Sequence, residues 1–204
     1  MKALIFDSET TGKALWKEPA DDPRQPRIVQ LGAILYDDER RVVAEMNLVV
    51  RPDGWTVPAE AAAIHGFTTE RAGAVGVRIR GVLALFLALA ERADVVVAHN
   101  LAFDRMMVEI EIARRPAEEL ARLVEVWRAK RKFCTMEEST EVLRLPGFFG
   151  KYKWPSLAEA HRHYLGVGFE GAHDAMADVR ACAAVYFAMN PAPVAAALND
   201  EVDL

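Results

Sequence analysis

Ile28-Val29-Gln30-Leu31-Gly32-Ala33-Ile34-Leu35-Tyr36, then Asp37-Asp38-Glu39-Arg40, then Arg41-Val42-Val43-Ala44-Glu45-Met46-Asn47-Leu48-Val49-Val50 is the stretch that decides the fold. Two β-prone runs flank a short charged turn, which is a hairpin signal. The apolar run over 2–6 reads as a first strand, so the first three strands form an antiparallel meander. Between them, residues 13–27 carry Pro19, Pro23 and Pro26 and read as a loop. After a turn region over 51–58, a helix-prone segment over 59–64 stops at Gly66. Val82, Leu83, Phe86, Leu87 and Ala90 recur at the helical period and predict a core-facing helix over 78–92. Asp94 reads as a turn residue before Val95–Ala98, a continuous apolar run suited to a buried strand. Helices are predicted over 101–115, 117–131 and 137–144, and an aromatic and basic loop over 147–155. Ser156 caps a helix over 157–164 with Glu159 in the capping-box position, and a last helix covers 174–189. A meander followed by helix, strand and helices predicts an α/β sandwich with a mixed central sheet.

The 204 residues suit one domain, taken as 1–190, with 191–204 an Ala-rich and then acidic tail, loosely attached. A composition of 52% hydrophobic and 27% charged residues describes a globular, soluble chain. The longest strongly apolar stretch, 82–90, is too short to span a membrane, and the first residues read as a strand rather than a signal peptide. Cys134 and Cys182 fit no metal-ligand spacing and suit a reducing cytoplasm. The net charge of −5 argues against bulk binding of duplex DNA. It leaves room for an enzyme that grips a few nucleotides at a strand end, where bound cations supply positive charge.

Three acidic patches carry the chemistry: Asp7 and Glu9 in Phe-Asp-Ser-Glu-Thr-Thr-Gly (6–12), Asp104 in His-Asn-Leu-Ala-Phe-Asp (99–104), and Asp178 in His-Asp-Ala-Met-Ala-Asp (173–178). If the first strand continues through Asp7 and Glu9, both leave the same face and Ser8 points the other way. Carboxylates that close repel, and a hard divalent cation with oxygen ligands relieves the cost. Asp104 falls in the first turns of a helix after a buried strand, and Asp178 lies one turn into the last helix. Both can bring a carboxylate to the sheet end where Asp7 and Glu9 emerge. Two metals about 4 Å apart suit phosphodiester hydrolysis. His173 is the candidate general base, since an ordinary histidine titrates near neutrality.

These patches resemble the DEDD-type 3′–5′ exonucleases, in the histidine branch (DEDDh) that includes the proofreading subunit of bacterial DNA polymerase III. Their motifs read Phe-Asp-x-Glu-Thr-Thr-Gly, His-Asn-x-x-Phe-Asp and His-x-x-x-x-Asp, all intact here in a frame covering 4–180. Ile64-His65-Gly66-Phe67-Thr68 looks like a further family segment. The resemblance implies a ribonuclease H-like three-layer sandwich whose sheet is antiparallel over its first three strands, then parallel. It assigns metal binding to Asp7, Glu9, Asp104 and Asp178, with two Mg2+ or Mn2+ per site, and proton transfer to His173. It implies that Thr10 holds the terminal nucleotide, that His65 with Glu60 contacts its sugar or phosphate, and that Phe103 packs beside the site. The expected activity is release of nucleoside 5′-monophosphates from single-stranded or frayed 3′ ends of DNA. An RNA-trimming exonuclease is the nearest alternative, and a nonhydrolytic nucleic-acid-binding or polymerase-accessory module the alternative from another class. The expected roles are DNA repair or proofreading in the cytoplasm, without a membrane; the short tail does not support a stable polymerase partnership.

Other residues read as structural. Asp174 is expected to cap the last helix, Asn100 to cap the helix after the buried strand, and His99 to be buried and hydrogen-bonded. His161 and His163 read as surface or packing residues, and Lys130-Arg131-Lys132 as a solvated helix end. Lys151, Tyr152, Lys153 and Trp154 interleave cations with aromatics, which suits a single strand or a loop packed on the core.

Overall fold

The computed structural model describes residues 1–116, 118 and 120–191. The meander is β1 (Ala3–Thr10), β2 (Ile28–Tyr36) and β3 (Val42–Val49). Asp37 Oδ1 closes the β2–β3 turn by accepting from the amides of Glu39 and Arg41. Three helices follow, α1 (Ala59–His65), α2 (Thr69–Val75) and α3 (Ile79–Arg92), then β4 (Val95–Ala98). The chain continues through α4 (Leu101–Ala113), α5 (Ala121–Ala129), β5 (Arg131–Cys134), α6 (Thr135–Leu143), α7 (Leu157–Leu165) and α8 (Ala175–Met189). The sheet order is β3-β2-β1-β4-β5, antiparallel across β3, β2 and β1, and parallel from β1 to β4 and β5. This is the mixed, helix-covered sheet that the sequence predicts.

Alternation along β1 sorts the core into two layers. Leu4 and Phe6 face α3, α4 and α5, where Phe6, Phe86 and Trp127 stack with ring centroids 5.1–5.7 Å apart. Ala3 and Ile5 face α8 and meet Met176, Val179 and Cys182. Val82, Leu83, Phe86, Leu87 and Ala90 are all fully buried, as their spacing predicts. Gly66, at φ 77°, ends α1 in the left-handed conformation that glycine adopts without strain. Ser156 and Glu159 form the expected capping box.

Several boundaries differ from the sequence reading. β1 runs past Phe6 to Thr10, because Asp7, Ser8 and Glu9 pair with Gly32, Leu31 and Gln30 of β2 even though apolarity stops at Phe6. The helix predicted over 117–131 is shorter: α5 ends at Ala129, while residues 117 and 119 lie outside the described ones. Of Lys130-Arg131-Lys132, only Lys130 is at a helix end, as the C-cap of α5; Arg131 and Lys132 open edge strand β5, which pairs with β4 from Val95–Arg131 to Ala98–Cys134. Its charged, exposed first residues hide the strand signal and suit an edge. Helix α2 was not anticipated; Thr68 caps it by accepting from the Arg71 amide. The loop over 147–155 does not pack its aromatics on the core: Trp154 is 68% exposed and Phe149 fully so. The expected loose tail falls, beyond Pro191, outside the described residues.

One buried ion pair fastens α4 to the start of β2. Glu111, fully buried, accepts from Arg27 Nε at 2.8 Å and Nη2 at 3.1 Å, and from the Ile28 amide at 3.2 Å. Arg114 donates to the carbonyls of Gln25 and Pro26 beside it. Removing one partner strands a buried charge, so Glu111→Ala should lower unfolding free energy by about 3–5 kcal/mol. Urea denaturation measures this, and a loss below about 1 kcal/mol would show that the pair is not what anchors α4.

Candidate active site

The site is built where β1 leaves the core. Asp7 and Glu9 project on the α8 face, in line with Ala3 and Ile5, and Ser8 turns to the opposite layer. There the Ser8 amide and hydroxyl both donate to Asp104 Oδ1, at 3.0 and 2.7 Å. Asp104, 3% exposed in the first turn of α4, is thereby tied to the strand that carries the other two acids.

Asp178 reaches the site because β2 is cut away beneath α8. Ile34, Gly32 and Gln30 are paired with Ile5, Asp7 and Glu9. A Cβ on Gly32 would lie 3.1 Å from the backbone C and O of Ala175, so glycine permits the first turn of α8 to seat here. Gln30 then fixes it: its Oε1 accepts from the Ala175 amide, and its Nε2 donates to Asp174 Oδ2 and Asn47 Oδ1. Asp174 caps the helix through the amides of Met176 and Ala177, as expected. His173 sits in the preceding loop at φ 71°, exposed, with its amide donating to Asp178 Oδ2 at 3.0 Å.

The carboxylates are electrostatically crowded. Burial, then the charges of Asp104, Asp178, Glu9 and Asp174, hold Asp7 well above the usual carboxylate range. Burial and the charges of Asp178 and Asp104 push Glu9 up to about 8. Burial raises Asp104 to about 7 despite the opposing Ser8 hydrogen bonds, and it raises Asp178 against the opposing His173 amide. The four acids predicted from sequence thus share one field. Side-chain ligand atoms of Glu9, His173 and Asp178 lie within 4.8 Å of one another. An oxygen-rich set of this kind fits hard divalent cations, which would replace the missing positive charge.

Two cavities open on this cluster. One of about 210 Å3 is lined by Asp7, His173, Asp178, His99 and Phe169. The other, about 520 Å3, brings Glu9 together with Thr10, Glu60, His65 and Phe103. His65 Nδ1 accepts from the Phe67 amide, which leaves its buried Nε2 without a partner among the described residues. His99 is not on this wall to bind: its Nε2 donates to the Pro155 carbonyl and its Nδ1 meets the Thr135 hydroxyl. His161 packs inside with Nδ1 on the Val167 carbonyl. Asn100 stands at the N-cap of α4 but in the left-handed region (φ 67°), and its side chain makes no cap bond, contrary to expectation. Ser8, Gly32 and Gln30 were missed as site residues. A glycine inside a strand and a polar residue at i+1 between two acids were the available signals.

The profile of the exonuclease family matches residues 4–186. A protein of Rhodobacter capsulatus described as DNA polymerase III subunit epsilon-like is 34% identical over 192 residues, covering 93% of this chain. The chain belongs to the exonuclease family. It spans 24% of that relative's length. Among solved structures, exonuclease I of E. coli with a dA16 oligonucleotide superposes with a TM-score of 0.68 at 21% identity, covering 93% of this chain and 40% of the other. A further exonuclease I structure, concerned with processivity, gives a TM-score of 0.69 at 21% identity with the same coverage. At these identities the superpositions establish the shared fold.

Two predictions follow from the crowding and the seat of α8. Carboxyls raised in the folded state bind protons more tightly there than in the unfolded chain. Their stabilisation is complete below about pH 4 and lost as pH rises through about 7–8, the values of Asp104 and Glu9. In EDTA, Tm should therefore fall between pH 5 and 8 more steeply for wild type than for Glu9→Gln, and Mg2+ or Mn2+ should raise Tm more at pH 8 than at pH 5. Parallel slopes in a thermal-shift series would rule out the crowding. Gly32→Val overpacks the α8 seat, with an expected loss of about 1–3 kcal/mol in stability and of about a hundredfold in phosphodiesterase rate at saturating metal. Full activity in that variant would show that the seat does not position Asp178.

Proposed function

We propose that this chain is a divalent-metal-dependent 3′–5′ exonuclease that releases nucleoside 5′-monophosphates from single-stranded or frayed 3′ ends of DNA. The observation that carries the reading is the convergence of Asp7, Glu9, Asp104 and Asp178 from three separate elements, with His173 beside them and a cavity adjoining Glu9. DNA as the polymer is supported by the relative's naming as a polymerase III epsilon-like protein and by the dA16 strand bound to E. coli exonuclease I.

Asp7, Glu9, Asp104 and Asp178 would hold two Mg2+ or Mn2+ ions. When bound, such ions supply Lewis acidity to the scissile phosphate and charge for the leaving 3′-oxygen. The chain's own groups do the rest. Ser8 holds Asp104 against β1, and Gln30, Gly32 and Asp174 hold the helix that carries Asp178. The His173 amide on Asp178 pins the loop, so that its ring stands among the acids, where it takes the proton of the attacking water. Thr10, Glu60, His65 and Phe103 line the cavity for the terminal nucleotide.

The test is degradation of 5′-labelled DNA and matched RNA, single- and double-stranded, with Mg2+, Mn2+ or EDTA and with released nucleotides resolved by chromatography. Stepwise shortening to mononucleotides, dependent on metal and faster on DNA, is expected. Asp7→Asn and Asp178→Asn should each lower the rate by about a thousandfold or more, and His173→Ala by about 10²–10⁴-fold, with far-ultraviolet circular dichroism unchanged. Cleavage that persists in EDTA, or near-wild-type rates in the two Asn variants, would overturn the reading. Binding without cleavage would point to a nonhydrolytic module, and faster loss of RNA to an RNA-trimming enzyme.

A further inference from the structure

Beyond Phe103 lies a third cavity, of about 640 Å3, that neither the acids nor the histidines line. It is lined by Lys13, Trp16, Asn100, Ala102, Phe103 and Trp154. Phe103 and Lys13 also line the cavity next to Glu9, so the two spaces are neighbours that share these two side chains. Its walls are aromatic and its single ionised lining group is a cation. A volume in the range of about 300–1,000 Å3 is that of sites which enclose drug-sized ligands.

Trp16 and Trp154 are large apolar side chains left 59% and 68% exposed, whereas Trp127 and Phe86 are buried in the core. Both are mounted on braced backbone. The loop that carries Trp16 is stitched by buried Gln25, whose Oε1 accepts from the Leu15 amide and whose Nε2 donates to the carbonyls of Leu15 and Pro19. Trp154 is flanked by Lys153, whose amide donates to the Leu145 carbonyl, and by Pro155, whose carbonyl takes the His99 proton at 3.0 Å. Asn100, exposed between the two walls, has a side chain that makes no cap bond. Rigid mounting of exposed rings means that little conformational freedom is lost when something flat stacks on them.

We propose that this cavity is an upstream subsite in which Trp16 and Trp154 stack the nucleobases preceding the 3′-terminal nucleotide of a single strand. The proposal rests on the exonuclease reading for its substrate. The shared wall with the cavity beside Glu9 sets the order of occupation: the terminal nucleotide lies on the Glu9 side of Phe103 and the next bases on the tryptophan side. Lys13, common to both spaces, faces the phosphodiester that joins them. Base–aromatic stacking tolerates any sequence, because every base has a π-face. The site would thus select single strands over paired ends without reading sequence.

The test separates one nucleotide from several. Wild type, Trp16→Ala, Trp154→Ala and the double variant are assayed on the p-nitrophenyl ester of thymidine 5′-monophosphate and on oligothymidylates of two to eight nucleotides. Each single variant should raise KM for strands of three or more nucleotides by about tenfold, with kcat held within twofold and kcat/KM for the ester unchanged. Trp→Phe should restore most of the affinity and Trp→Leu should not. Without metal, oligothymidylate should quench wild-type fluorescence through these two rings, and the double Trp→Phe variant should lose that response. Equal losses on ester and strand would overturn the subsite and make the tryptophans scaffold for the catalytic end. Unchanged strand kinetics would also overturn it, including the case where the variants alter only self-association or protein binding. If wild type hydrolyses neither substrate, the exonuclease reading fails, while the quenching titration still decides whether the cavity takes a single strand.

Discussion

The structure depends on a repulsion. Four carboxylates are held within one another's field at the end of a sheet, each with its proton affinity raised by burial and by its neighbours. A folding chain left to itself would spread such groups apart. They stay together because each is fixed by something other than the site: β1 by pairing on both sides, α4 by the Glu111–Arg27 pair, α8 by Gln30 and the hollow above Gly32. Bound cations would relieve a repulsion of this kind, which is what the proposed role of the acids requires.

β1 is the part through which both helical layers meet. Its odd residues Asp7 and Glu9 belong to the α8 side, while Ser8 between them grips α4 across the sheet. One strand therefore sets the relative position of Asp7, Glu9 and Asp104 without a loop intervening. Only the arm bearing His173 is left to loop backbone, and there the Asp178 carboxylate itself holds the amide.

Much of this was legible beforehand, for physical reasons. Antiparallel strands and the α3 stripe announce themselves through periodicity, and the three acidic patches through residue type and spacing. Asp174 was separable from Asp178 because an acid just before a helix has a local use in capping it. What stayed hidden depends on tertiary contact. β5 reads as charged because its first two residues are exposed and only one of its edges is paired, and α2 is too short to show a stripe. The partners of Ser8, Gln25 and Gln30 lie 96, 10 and 145 positions away or within an irregular loop, where no local pattern reaches them. Asn100 misled because its residue type fits a cap while its backbone took the left-handed region.

The basic run at β5 has a consequence for how a polyanion would be held. Lys130 Nζ donates to the carbonyls of Glu91 and Ala93, and Lys132 Nζ to those of Arg128 and Lys130, so these ammonium groups are engaged with the chain's own backbone. A strand end gripped by cations at one point and by aromatic faces beyond it displaces few condensed counterions. Its affinity would then change little with ionic strength, unlike that of proteins which track a phosphate backbone with lysine and arginine. On the proposed reading such a grip would favour letting go, since an end could be taken, shortened and released over a range of salt in which a backbone-tracking protein would be either clamped or washed off.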